Sequence, residues 1–159
     1  MSLKEIRPRL ISAAANTVYN AVDWDISGRY VGYVAGNQAY ILDSANSMIV
    51  ATLKGHSERA NTVRFLHKTK DLTAISAGSS GDIAIWHSPA PSDWSSWKKR
   101  LSIKLDECIV QFSFYEIDET ELYLIALTTA CSFALIHIKD DKELSRDVLP
   151  FGTTFQTTS

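Results

Sequence analysis

The chain has 159 residues, 45% of them hydrophobic and 21% charged, with a net charge of −2. This is the ordinary composition of a globular protein, and the near-neutral balance removes any bulk electrostatic pull toward nucleic acid or an anionic membrane. No stretch of about 18 apolar residues is present to span a bilayer, and no apolar segment follows the basic Met1–Arg9 to make a secretory leader. The expected location is the cytoplasm, the nucleus or both.

From the N-terminus onward, short runs alternate between apolar and polar residues, the period of half-buried strands. Asn20-Ala-Val-Asp-Trp24 returns 41 residues later as Asn61-Thr-Val-Arg-Phe65, and Ile109-Val-Gln-Phe-Ser-Phe114 is a third version. Ala39-Tyr-Ile-Leu-Asp43, Ile83-Ala-Ile-Trp-His87 and Phe133-Ala-Leu-Ile-His137 form a second repeated set, each after a turn: Gly36-Asn37, Ser79-Ser-Gly81 and Thr128-Thr-Ala130. The spacing predicts four strands per unit. In unit one they lie near 18–24, 30–35, 38–43 and 48–53, and in unit two near 60–66, 72–77, 82–87 and 99–105. In unit three they lie near 109–115, 121–128, 132–138 and 145–149. Ile26–Arg29 and His67–Asp71 are tight hairpin loops, and Pro89–Trp94 is a longer loop stiffened by two prolines. Glu116–Glu121 is expected as a solvated acidic loop, and Asp23, Asp25 and the Asp140-Asp141 doublet as solvated loop and edge charges. Cys108 and Cys131, in apolar runs, are expected as buried free thiols.

A period near 40 residues with four strands per unit predicts an all-β fold of about three four-stranded antiparallel propeller blades. The units are a degenerate one at 11–54, a well-marked one at 55–105, a second degenerate one at 106–150, and a tail at 151–159. Gly55-His56 follows a strand, and Trp86 ends another 30 residues after His56. This GH…W arrangement resembles the WD40 repeat. The resemblance implies a buried hydrogen-bonded chain of His56, Ser76 and Trp86, with the family's turn aspartate replaced by Ser80 and its final aspartate by His87. Asp82 stands close to the vacant turn position but at the wrong spacing. The run Ile49–Phe65, with Asn20–Trp24, Tyr33–Gly36 and Ala39–Asp43 before it, is similar to the first blades of the Elongator complex protein 2 family. That similarity covers roughly residues 11–87 and implies a scaffold without an active site of its own, in a complex that modifies wobble uridines of tRNA.

No catalytic residue, metal ligand set or cofactor site is expected. The four histidines lack metal-ligand spacing, and Ser76–Gly81 lacks the ending and the helix of a phosphate loop. Arg59 and Asn61, just ahead of a first strand, are the expected partner contacts. The expected partners are protein subunits of a multiprotein complex, with tRNA an indirect one, and neither a membrane nor a small-molecule substrate. A nucleic-acid-binding module using Trp94, Trp97 and Lys98–Arg100 is the competing expectation. Three units are too few to close a propeller of about seven blades, so the chain is expected to be part of a longer protein or of an assembly.

Overall fold

The computed structural model describes residues 15–18 and 20–150, folded as three four-stranded antiparallel sheets. Sheet one runs β1 (Val22–Trp24), β2 (Tyr30–Ala35), β3 (Gln38–Asp43) and β4 (Met48–Lys54). Sheet two runs β5 (Ala60–Phe65), β6 (Leu72–Gly78), β7 (Asp82–Ser88) and β8 (Lys98–Lys104). Sheet three runs β9 (Ile109–Glu116), β10 (Glu121–Thr128), β11 (Ser132–Lys139) and β12 (Lys142–Pro150). Strands neighbouring in sequence are neighbours in space, as short connections dictate. A single 3₁₀ turn, Trp94–Ser96, sits in the long β7–β8 loop, capped by the Asp93 carboxylate accepting from Ser95 N.

The core lies between the sheets. One face of sheet one (Tyr30, Val34, Ile41, Leu53) packs on one face of sheet two (Val63, Phe65, Ala74, Trp86). The opposite face of sheet two (Ile75, Ala77, Ile83, Ile85) packs on sheet three (Phe112, Leu124, Ile136, Ile138). The middle sheet is therefore apolar on both faces, which is why β6 and β7 read as nearly continuous apolar runs. Gly32 lets Phe65 and Val63 approach sheet one, since a Cβ there would lie 3.1 Å from the Phe65 ring.

Polar groups tie the sheets together as well. The Asp23 carboxylate accepts from Phe65 N (2.9 Å) and Arg64 Nε (3.2 Å). Glu116, buried, accepts from His67 N (2.9 Å) and Lys68 N (2.7 Å), and Thr62 Oγ1 donates to Asn20 O (3.0 Å). Asp25, also buried, organises the β1–β2 turn by accepting from Tyr30 N at 2.7 Å and Ser27 N at 3.1 Å. These three carboxylates correct the expectation of solvated charges: each takes up backbone N–H groups that no strand ladder could satisfy.

Other expectations change too. Cys108 and Cys131 are exposed, because Cys108 precedes β9 and Cys131 sits in the β10–β11 turn at φ +56°. The last strand is longer than expected, Lys142–Pro150 rather than 145–149. Val22 and Trp24 hold the places in sheet one that Val63 and Phe65 hold in sheet two, yet they are 48% and 52% exposed. The tail at 151–159 and the start of unit one at 11–14 lie outside the described residues.

Gly81 turns the chain from β6 into β7 at φ +87°, and a Cβ there would meet Leu105 O at 2.5 Å and Glu107 O at 2.6 Å. Replacing Gly81 with Ala is expected to cost about 2 kcal/mol or more in urea unfolding, since both the dihedral and the backbone contacts oppose a side chain.

Candidate functional site

In sheet two the strand pairing sets Ser76 opposite Ala84, with Trp86 two residues further along the same face. Trp86 Nε1 donates to Ser76 Oγ at 2.8 Å, and Ser76 Oγ lies 2.8 Å from His56 Nε2. Gly55 clears the way for the indole: a Cβ at that position would stand 2.6 Å from Trp86 Cζ2. When Ser76 donates its own proton to Nε2, the remaining ring proton of His56 sits on Nδ1. That buried atom has no hydrogen-bond partner among the described residues and faces the Gly78 backbone.

The reason lies in the next turn. Ser80 hydrogen-bonds to Asp82 Oδ2, and Ser57 Oγ donates to the same carboxylate at 3.2 Å. Lys104 Nζ adds a bond to Asp82 Oδ1 at 2.9 Å and another to Ser80 O. Burial would push the Asp82 pKa up, but the hydrogen bonds from Ser80, Lys104 and Ser57 hold it at about 2. Asp82 is thus a well-satisfied anion that binds the turn, while His56 Nδ1 goes without. Burial in turn drives the His56 pKa down to about 4, against only a partial upward pull from Asp82.

The equivalent positions of the other sheets differ. In sheet three Ala126 pairs with Ala134, and Ile136 follows, so the polar chain gives way to apolar packing. In sheet one Tyr33 and Tyr40 stack at 5.2 Å instead. At the ends of the third strands, Asp43 pairs with Arg29 (3.0 Å), His87 with Asp71 (3.2 Å) and His137 with Glu121 (2.8 Å). The position is a polar clasp in all three sheets: the third strand supplies the carboxylate in sheet one, and a histidine ring nitrogen facing a carboxylate in the last two. The sequence carries its signal, an ionisable residue of matching type near the start of each second strand, which an inspection of the third strand alone misses.

The surface residues divide. Arg59 is exposed on the loop leading into β5, its carbonyl accepting from Ser79 N at 2.8 Å. Asn61 spends its amide on Ile109 O (2.8 Å), bracing sheet two against sheet three. Trp97 is 8% exposed and donates Nε1–H to Pro91 O (3.1 Å), so it is unavailable for base stacking, a correction to the nucleic-acid expectation. Of the neighbouring cations, Lys99 lies over Trp86 and Arg100 pairs with Asp141 at 3.4 Å. Trp94 is 77% exposed and Met48 60% exposed. Both line a groove of about 800 Å³, together with Arg29, Ser92 and Lys54, along the outer edge of β4, which no further strand pairs among the described residues. Among the described residues no three His, Cys, Asp or Glu side chains come together to hold a metal ion, and no helix is long and apolar enough to cross a membrane.

Two consequences can be measured. Above pH 6.5 His56 is neutral in both folded and unfolded chains. Between pH 6.5 and about 4 only the unfolded chain takes up the proton, so stability falls with pH, by about 3 kcal/mol once the folded pKa is passed. Replacing Ser80 with Asp offers Nδ1 an acceptor. It also removes the Ser80 bond to Asp82 and sets a second carboxylate beside it, so no gain is expected at pH 7, but the acid loss should shrink because the folded pKa of His56 rises. Urea titrations of both chains at pH 7 and pH 4.5 check the pair; equal acid losses in the two would disprove the assignment.

No family model matches the chain, and no curated protein matches its sequence. Solved structures do resemble it. The β-propeller domain of Cps50 (Swd1) from Myceliophteria thermophila superposes with a TM-score of 0.67 at 14% identity, over 89% of this chain and 42% of that one. The WD40 domain of SCAP from fission yeast gives a TM-score of 0.60 at 16% identity, over 84% of this chain and 32% of that one. The chain thus spans less than half the length of either. Three stacked four-stranded meanders, one carrying the His–Ser–Trp chain, and these two likenesses give the conclusion that the chain has the β-propeller fold of WD40 domains.

Proposed function

We propose that the chain is a non-catalytic scaffold that joins protein subunits into a larger complex. The observation that carries this reading is the groove beside β4, where Trp94 and Met48 stand exposed around a strand edge that is unpaired among the described residues. Large apolar side chains left in water beside a free edge suit the capture of another protein's apolar side chain, with backbone bonds to the strand. Asp25, Glu116 and Asp43 are spent on a turn, a tie between sheets and a clasp, and the WD40 propeller likenesses support the same reading. The blades are 11–54, 55–105 and 106–150, and Arg59, with Asn61 behind it, belongs to a second contact region on the rim. In the finer form of this proposal, which the resemblance of residues 11–87 to the Elongator complex protein 2 family supports, the complex is Elongator-type and acts in the cytoplasm or nucleus in support of tRNA wobble-uridine modification.

Affinity purification of the chain is expected to recover stoichiometric protein partners. Trp94→Ala is expected to weaken that capture by about 2 kcal/mol, roughly thirty-fold, in a binding titration. A chain that emerges alone defeats the scaffold reading. Nucleoside analysis of bulk tRNA from cells lacking the chain tests the finer assignment: unchanged wobble-uridine modification removes the Elongator role and leaves the scaffold standing.

A further inference from the structure

The basic run Lys98-Lys99-Arg100 lies outside the groove beside β4, and it stands just upstream of a hydroxyl on the same strand. Ser102 lies on β8 with Arg100 two residues, Lys99 three residues and Lys98 four residues ahead of it, and all four are exposed. β8 is the last strand of sheet two, and among the described residues β7 is the one strand it pairs with; on it, Lys104 O also accepts from Arg146 Nη1 at 2.8 Å, two residues past Ser102. We propose that Ser102 is a phosphorylation site for a basophilic protein kinase, an enzyme class whose acidic groove reads cations upstream of an extended acceptor.

Several other hydroxyls in the described residues follow a cation at three residues' distance, and the structure separates them. Thr62 after Arg59 and Thr73 after Lys70 are buried. Ser57 after Lys54 is tied to Ser80 and Asp82. Ser145 after Lys142 is exposed but has Glu143 between them, a charge of the wrong sign for an acidic groove. Ser102 combines exposure, an extended backbone, a place on a sheet-edge strand and three cations. Those cations are held only lightly, Arg100 by an exposed contact with Asp141 at 3.4 Å and Lys99 by a ring 5.8 Å away, so a kinase can recruit them.

The reaction is the transfer of the γ-phosphoryl group of ATP. A bond forms between Ser102 Oγ and phosphorus, the bond from phosphorus to the β-phosphate oxygen breaks, the hydroxyl proton passes to the kinase's base, and ADP leaves. The product has a defined local effect. Ser102 pairs with Ala84, Lys99 with Trp86 and Lys104 with Asp82, and these three β7 residues alternate onto one face. The new dianion therefore lies between Lys99 and Lys104 and competes with Asp82 and Ser80 O for the Lys104 ammonium.

The test uses the folded full-length chain, the catalytic subunit of cyclic-AMP-dependent kinase as a basophilic probe, and Mg-ATP, with tandem mass spectrometry to place the phosphate. Near-complete labelling of Ser102 is expected. Ser102→Ala should abolish it, and Ser102→Thr should retain it as phosphothreonine, which keeps the test independent of any folding defect in the alanine variant. The double change K99A/R100A should slow labelling about tenfold with an unchanged circular dichroism spectrum. Failure to label Ser102, or labelling only after the chain has been heat-unfolded, overturns the proposal.

Discussion

None of the three sheets can bury its own apolar surface; each face becomes a core only when the neighbouring sheet covers it. The ties between sheets are correspondingly specific. Phe65 and Val63 press against Gly32, Asp23 reaches across to Phe65 N, Glu116 to the His67 and Lys68 amides, and Asn61 to Ile109 O. Apolar area supplies the driving force, while these polar ties fix how one sheet is set against the next.

The buried polar chain of sheet two has to be weighed on that ground. His56, Ser76 and Trp86 satisfy one another, but the chain stops at Nδ1 because Ser80 turns to Asp82 instead. Sheet three shows the alternative, with Ala126 and Ile136 at the corresponding places and, next along, Thr128 and Ser132 satisfying each other at 2.8 Å. Replacing every member of a buried network by apolar groups costs little, whereas leaving one member unpaired costs the desolvation of that atom. Sheet two keeps the incomplete form, and its stability answers to pH through His56 in a way that sheet three's core does not.

Much of the architecture was legible because period-2 alternation and a forty-residue repeat are direct consequences of strand geometry and blade stacking. The strand positions followed from that pattern, whereas the chain of His56, Ser76 and Trp86 was what the resemblance to the WD40 repeat implied. What stayed hidden depends on which sheet lies opposite. Val22-Asp-Trp24 and Val63-Arg-Phe65 share a pattern, yet Phe65 is buried and Trp24 exposed, since burial belongs to the neighbour and not to the strand. Asp23 and Glu116 looked like loop charges because their N–H partners come from another sheet. Trp97 looked like a free aromatic because nothing local in sequence shows the β7–β8 loop folding back over it to offer Pro91 O.

The clasps at the third-strand ends bear on how the blades avoid exchanging strands. Sheet one places an acid, Asp43, on the third strand against the cation Arg29, whereas sheets two and three place a histidine there against Asp71 and Glu121. A hairpin that borrowed its third strand across this divide would set Asp43 against Asp71 or Glu121, carboxylate facing carboxylate, and would leave Arg29 without its acid. Blades so alike in length and pattern are prone to mispair during folding. The different placing of the carboxylate gives sheet one an address that the other two do not share, and the penalty for misassembly falls at the open end of the hairpin, away from its turn.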